Sequence, residues 1–256
     1  MKRALIGHTG FIGSFLKREL GFAQEDKDDF LYRSTDINDI RGQNFDRVIC
    51  AGAPGVKWLA NKHPEEDKKS IDRLMDCLGE MKTKQLILIS TVDVLPTPAR
   101  GDELTEVHPD STNPYGSHRK MLEEFCARNF ACSIIRLPGM FGPGLKKNII
   151  FDLMNRHEVH KIVPDSRYQF YDLKWLWGDL ERMLARGIPL LHAATPPVTA
   201  ATIARTCFGI ELPPLPKDVS LADYDFRTRY SHEWTGPIGY LRTQEQVIHS
   251  IKEFTQ

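Results

Sequence analysis

Lys2-Arg3-Ala4-Leu5-Ile6-Gly7-His8-Thr9-Gly10-Phe11-Ile12-Gly13 is the stretch on which the fold turns. It reads as an apolar strand over residues 3–6, a tight loop, and a helix opening near Phe11. The loop's glycines recur every third residue, a spacing variant of the dinucleotide-binding fingerprint. In that pattern one glycine makes a sharp turn, one lets backbone approach a pyrophosphate, and one packs helix against strand. The helix N-terminus then presents unpaired N–H groups and a positive dipole end to the anion. Phe11, Ile12, Phe15, Leu16 and Leu20 give the following segment an amphipathic character. Gly7, Thr9, Gly10, Phe11, Ile12 and Gly13 are therefore the first candidate cofactor contacts.

Outward from the loop, short apolar runs alternate with helical stretches, the signature of a parallel sheet covered by helices. Strands are expected over residues 30–33, 47–51, 85–90 and 133–137. A helix over 64–81 carries Ile71, Leu74, Met75 and Leu78 at helical spacing. Asn113-Pro114 reads as an N-cap followed by the favoured first-turn proline, opening a helix that runs to about residue 129. Pro138-Gly139 and Gly142-Pro143-Gly144 then break the chain. Further helices are expected over 148–156, 174–186 and 199–207, a proline-rich connection over 212–216, and a last helix over 243–254. The expected fold is α/β: a Rossmann-like doubly wound parallel sheet with a small C-terminal substrate-binding lobe. Residues 1–145 would form the NAD(P)-binding domain, and 146–256 mostly the lobe, interleaved with it. Ligands of such sheets sit beyond the carboxyl ends of the strands, where the loops after residues 6, 33, 51, 90 and 137 converge.

Bulk properties narrow the classes. The 256 residues balance 34 basic against 34 acidic side chains, so the charge balance does not indicate a basic stripe for nucleic acid. No run approaches the roughly 18 apolar residues of a membrane span, and the first residues lack a signal peptide's apolar region. The five cysteines are odd in number and show no C-x-x-C spacing, which reads as reduced thiols in a cytoplasmic protein. No metal site, membrane or nucleic-acid partner is expected.

With the residues up to Tyr115 read, the chain resembles the extended short-chain dehydrogenase/reductase family, the NAD(P)-dependent epimerase/dehydratase group. The resemblance spans nearly the whole chain. It is carried by the glycine loop, by Ser90-Thr91-Val92-Asp93-Val94, by Glu106 followed by Asn113-Pro114-Tyr115-Gly116, and by Arg136-Leu137-Pro138-Gly139-Met140-Phe141-Gly142-Pro143-Gly144. It implies a nicotinamide cofactor, most often a nucleotide-sugar substrate, and a Ser/Thr–Tyr–Lys catalytic set. By position the hydroxyl falls on Thr91, with Ser90 next to it, and the acid/base on Tyr115. Where the family has lysine, four residues after the tyrosine, this chain has Arg119. Lys120 is five residues on, about 140° round a helix, and does not share that face. Arginine can supply a field that favours the phenolate and can bond the nicotinamide ribose, but it cannot relay protons. His118 reads as a surface residue.

At the end of the second strand, Tyr32-Arg33-Ser34 offers an arginine where NAD sites usually place an acid, with Asp36 the nearest acid following. NADP is accordingly expected over NAD, with Arg33 and Ser34 on its 2′-phosphate. Asp39 resembles an adenine contact; Ala51, Gly52 and Ala53 are small residues where cofactor sugar and phosphate approach, and Pro138 is a further cofactor contact. Substrate candidates are Asp93, Asn148 and Arg167, with Lys146 and Lys147 as further cations. Asp93 has no glutamate beside it, which disfavours plain dehydration, and Asp172 reads as structural. The expectation is an enzyme that oxidises, epimerises or reduces a nucleotide-linked sugar. The alternatives are a cofactor-binding sensor or assembly module, and a reductase of small carbonyls. The resemblance also suggests a homodimer through the helices at 64–81 and 115–129.

Overall fold

The computed structural model describes residues 1–23, 27–97, 101–214 and 219–256. Leu215 and Pro216, at the end of the expected proline-rich connection, lie outside the described residues. In chain order the elements are β1 (Arg3–Ile6), α1 (Phe11–Glu19), β2 (Asp29–Tyr32), β3 (Asn44–Cys50), α2 (Lys57–Lys62), α3 (Pro64–Gly79), β4 (Lys82–Thr91), α4 (Pro114–Asn129) and β5 (Cys132–Leu137). There follow β6 (Gly139–Phe141), α5 (Ile149–Asn155), β7 (Arg167–Tyr168), β8 (Phe170–Asp172), α6 (Leu176–Ala185), β9 (Leu190–His192), β10 (Val198–Thr199), α7 (Ala200–Phe208) and α8 (Gln244–Thr255).

The chain packs as two units. The first takes Met1–Pro96, Glu106–Arg136 and Trp177–Leu191, and holds a six-stranded sheet in the order β2-β1-β3-β4-β5-β9. Registers along β2-β1-β3-β4 are parallel. The order runs one way from β1 to β2 and the other way from β1 to β3, so the topological switch point lies beside β1. The link from β2 to β3, residues 33–43, contains no α-helix; a 3₁₀ turn at Ile37–Ile40 makes the crossing and buries Ile37 and Ile40. Strand alternation sends Ala4, Ile6, Val48, Cys50, Leu86 and Leu88 to one face, where they form a core with Ile71, Leu74 and Leu78 of α3 and Leu122 of α4.

The second unit takes Thr97–Thr105, Leu137–Leu176 and His192–Gln256. Two short pairs, parallel β6–β8 and antiparallel β7–β10, carry α5, α7 and α8 around a core that includes Phe141, Phe170, Ile203, Val247 and Ile251. Asp172 is structural, as its sequence position suggests: its carboxylate accepts from the Lys174 N–H at 2.9 Å and from the Ser250 hydroxyl.

No helix among the described residues is long and apolar enough to cross a membrane.

Candidate active site

The glycine loop leaves no room for a side chain at Gly7 or Gly13. Gly7 has φ +83°, and a Cβ there would lie 2.3 Å from the Ala51 carbonyl oxygen. A Cβ on Gly13 would lie 2.0 Å from the Gly7 carbonyl oxygen, which Gly10 N–H already approaches at 3.0 Å. Gly52 is similarly confined, since its Cβ would meet the Ile6 side chain at 2.8 Å. α1 then opens at Gly10 without a side-chain cap, and Lys17 and Arg18 stand in its last turn. First-turn N–H groups beside positions that admit no side chain at Gly7 and Gly13 are the arrangement a diphosphate needs. The residues present therefore fit a dinucleotide.

At the end of β2, Arg33 is exposed and is tied to Asp36, whose carboxylate accepts from the Arg33 backbone N–H at 2.6 Å and from Nε at 3.1 Å. Ser34 and Asp39 are exposed as well. Burial lowers the His8 imidazole pKa, and the charges of Lys17 and Arg33 push the same way against an opposing pull from Asp36.

Thr91 ends β4 and Tyr115 is the second residue of α4, which Asn113 caps through its side chain and Pro114 opens. The Thr91 side chain lies near enough to the phenol to act on its pKa, lowering it against burial. Ser90 points the other way, by strand alternation, and donates to the buried Glu123 carboxylate at 2.6 Å. Glu123 in turn takes a bidentate pair from Arg136 at 2.9 and 2.7 Å. Thr91 is therefore the β4 hydroxyl available at this rim. Its Oγ also accepts from the Asp93 N–H at 3.2 Å, closing the 3₁₀ turn Val92–Val94.

Arg119 does occupy the face of α4 below Tyr115, with its guanidinium 4.0 Å from the phenol ring centroid. Its fork is largely spent inside the protein. Nη1 donates to Asp67 at 2.5 Å and to the Tyr115 carbonyl at 3.1 Å; Nη2 donates to Asp67 at 2.8 Å and to the Pro54 carbonyl at 2.5 Å. Only Nε is buried without a partner. His118 is not a surface residue: it is 8% exposed and bonds Asp67 at 2.7 Å. Burial pushes the Asp67 carboxyl up, but the hydrogen bonds and charges of Arg119 and His118 together outweigh it and hold it below the ordinary carboxylate value.

The sequence suggested that a fixed cation would favour the Tyr115 phenolate. The net direction is the opposite. Burial pushes the phenol up; the Arg119 charge opposes this, Asp93 adds to it, and the Thr91 hydrogen bond and the Lys57 charge oppose it. With Tyr115 9% exposed, desolvation of the charged form wins.

Asp93 pairs with Lys57 at 2.7 Å. Lys57 and Asn61, both on α2, escaped the sequence reading, as did α2 itself. Asn61 accepts the Tyr115 backbone N–H at 3.0 Å. No local spacing signals either contact, because the partners are 36 and 54 residues away.

In the second unit, Asn148 caps α5: its amide oxygen accepts from the Ile150 and Phe151 N–H groups, and its Nδ2 donates to the Met140 carbonyl at 2.9 Å. Its backbone sits at φ 94° and ψ 172°, a region almost confined to glycine. Arg167 pairs with Asp223 at 2.6 Å on the surface, and Pro138 is half-buried between β5 and β6.

No family model matches the sequence, and no curated protein matches it. Solved structures do. MoeE5 in complex with UDP-glucuronic acid and NAD is similar over 100% of this chain and 99% of its own, with TM-score 0.73 and 17% identity. The dTDP-4-dehydrorhamnose reductase of Bacillus anthracis in complex with NADP covers 99% of this chain and 98% of its own, with TM-score 0.72 and 15% identity. The UDP-glucose 4-epimerase of Thermotoga maritima with UDP-glucose covers 100% and 97%, with TM-score 0.67 and 15% identity. At these identities the likeness shows the fold: a Rossmann-like sheet with its accompanying C-terminal elements.

Proposed function

We propose that this chain is an NAD(P)-dependent oxidoreductase or epimerase of the extended short-chain dehydrogenase/reductase type, acting on a nucleotide-diphosphate sugar. The observation that carries the reading is the nearness of the Thr91 side chain, at the end of β4, to the Tyr115 phenol in the first turn of α4, at the same sheet rim as the glycine loop. Structures of this fold described with UDP-glucuronic acid, UDP-glucose, NAD and NADP support it.

Gly7, Thr9, Gly10, Phe11, Ile12 and Gly13 would hold the diphosphate, Ala51–Gly52–Ala53 the adjacent sugar, and Asp39 the adenine. Arg33 and Ser34 suit a 2′-phosphate, so NADP is the proposed partner. The bound nicotinamide supplies the hydride donor or acceptor. Thr91 orients the reacting oxygen. Tyr115, with its pKa raised, holds its proton at neutral pH and donates it to a carbonyl oxygen as an alcohol forms. Reduction is the direction this phenol serves unaided. In the second unit, the strained Asn148 and the cations Lys146, Lys147 and Arg167 are proposed for the substrate diphosphate, and Pro138 for the cofactor. A cytoplasmic homodimer through α3 and α4 completes the proposal.

The test is a panel of nucleotide sugars titrated with NADP or NAD, followed by turnover. Tyr115→Phe should leave cofactor affinity intact and lower kcat by about 10²-fold or more. Unchanged turnover in that variant would overturn the assignment. Commitment of the Arg119 fork to Asp67 and Pro54 favours a second reading, a cofactor-binding sensor, in which Tyr115→Phe keeps full function. A reductase of small carbonyls would turn over without binding any nucleotide sugar.

A further inference from the structure

We propose that Asp67 is a positioning residue for the candidate site: through the Arg119 guanidinium it holds the Tyr115 ring and the loop leaving β3 against one another. The proposal rests on the reading of Tyr115 as the acid/base and of Ala51, Gly52 and Ala53 as cofactor contacts.

Asp67 stands in the first turn of α3, and Arg119 takes both of its carboxylate oxygens, through Nη1 at 2.5 Å and Nη2 at 2.8 Å. A bidentate pair fixes the plane of a guanidinium as well as its place. His118 Nδ1 lies 2.7 Å from the carboxylate oxygen that Nη1 also reaches. The guanidinium so held makes two further contacts. Its carbon lies 4.0 Å from the Tyr115 ring centroid, and Nη2 donates to the Pro54 carbonyl at 2.5 Å. Pro54 directly follows Ala51, Gly52 and Ala53, the residues that leave β3. A second stitch ties the same stretch of chain to α4. Asn61 on α2 accepts the Tyr115 backbone N–H at 3.0 Å, a first-turn group with no partner inside its own helix. The loop and the phenol are thus set against each other through α4, and the carboxylate that keeps the fork in place comes from α3.

Arg119 has little left over for a ligand. Nη1 also donates to the Tyr115 carbonyl at 3.1 Å, so its two Nη groups make four bonds, all within the protein. Nε is buried. Arg119 therefore acts on the site by holding it rather than by reaching into it. A lysine could not do the same. Its ammonium is a compact point charge and lacks the planar fork that serves Asp67, Pro54 and the ring together. Arginine at this position has a different task from the lysine of the family it resembles, and Asp67 gives it that task. Asp67, His118, Arg119 and Tyr115 are all buried, so salt screens the tie much less than a surface pair.

The test separates holding from stability. Affinity for NADP and NAD is measured by calorimetry. The phenol is titrated by ¹⁹F resonance in the full chain without cofactor, with 3,5-difluorotyrosine at position 115. Arg119→Lys keeps the charge and loses the fork, and should weaken cofactor binding about tenfold or more. Asp67→Asn should weaken it to a similar extent and move the titration midpoint downward, because the guanidinium loses its counter-charge. Asp67→Glu, which keeps the carboxylate, should bring both readouts most of the way back. With natural Tyr115, Arg119→Lys should lower kcat with little change in the KM of the sugar substrate. If Asp67→Asn does not fold, Arg119→Lys carries the test, since it leaves no buried charge unpaired. Loss of stability alone, with affinity and midpoint unmoved in the folded variants, overturns the proposal. So does an Arg119→Lys protein that binds cofactor as tightly as the parent. A parent that binds neither NADP nor NAD overturns the cofactor reading and this role together. Variants that behave as expected in a protein that turns over no nucleotide sugar keep the positioning role and remove the substrate assignment instead.

Discussion

A single methyl group at position 13 would sit 2.0 Å from the Gly7 carbonyl oxygen, and that oxygen is part of the backbone. It cannot swing aside as a side chain would. Gly13→Ala is expected to cost about 1–3 kcal/mol of stability through overpacking and to weaken cofactor binding at least tenfold by calorimetry. Gly178→Ala is the matched control. It lies in α6 with open space around its would-be Cβ, so the helix should gain about 0.5–1 kcal/mol. His8 gives a second prediction at this scale. Its pKa is lowered by burial first and by Lys17 and Arg33 next, so a phosphate bound among these cations would raise it again. Binding of NADP then takes up a proton, and affinity rises as pH falls through the bound-state value. NAD, which brings the diphosphate but no 2′-phosphate, should show a shallower profile between about pH 5 and 8. An NADP profile as shallow as that of NAD would remove Arg33 and Ser34 from the phosphate site.

Between elements, the tie of most consequence is the one from Asp67 on α3 to Arg119 and His118 on α4. Asp67→Asn should cost about 3–5 kcal/mol, because it leaves a buried guanidinium without its counter-charge. The carboxyl's folded pKa lies below the ordinary 3.8, so its contribution is present above that value and is lost as pH falls through the lower folded one. Denaturant melts of parent and variant should therefore converge under acid and diverge at neutral pH. The same tie explains what the sequence could and could not tell. α4 was legible at both ends because Asn113 and Pro114 are local signals whose chemistry acts within one turn. Its buried face was not, since the polar side chains of His118, Arg119 and Glu123 sit inside. Their partners Asp67 and Arg136 come from other elements, and no spacing within α4 announces them. α2 was missed for the same reason: six residues held by Lys57–Asp93 and Asn61–Tyr115 contacts carry little periodicity of their own. β1, its glycine loop and α1 were read nearly residue for residue, because sterics at Gly7 and Gly13 act over a few residues.

At the scale of the molecule, the chain returns. The sheet unit is assembled from three separated segments, the last of them Trp177–Leu191, which brings most of α6 and β9 back beside β5. The Ile134 N–H bonds the Pro189 carbonyl at 2.8 Å, and Leu180, Met183, Ile188 and Leu191 are buried. A fragment of residues 1–145 contains the glycine loop, Thr91 and Tyr115, yet it lacks this returning segment. Each lost side chain forfeits about 2 kcal/mol of burial, so the four together forfeit roughly 8 kcal/mol, against a whole-domain stability of about 5–15 kcal/mol. β5 would also become an unpaired edge, a template for aggregation. The fragment should therefore show no cooperative thermal transition and should not bind NADP, although it carries every residue proposed for the diphosphate. Supplying residues 146–256 as a separate chain during refolding should restore the transition, because the missing edge strand and helix return with it. A fragment 1–145 that melts cooperatively and binds cofactor would show that the three-segment assembly is not what holds the site.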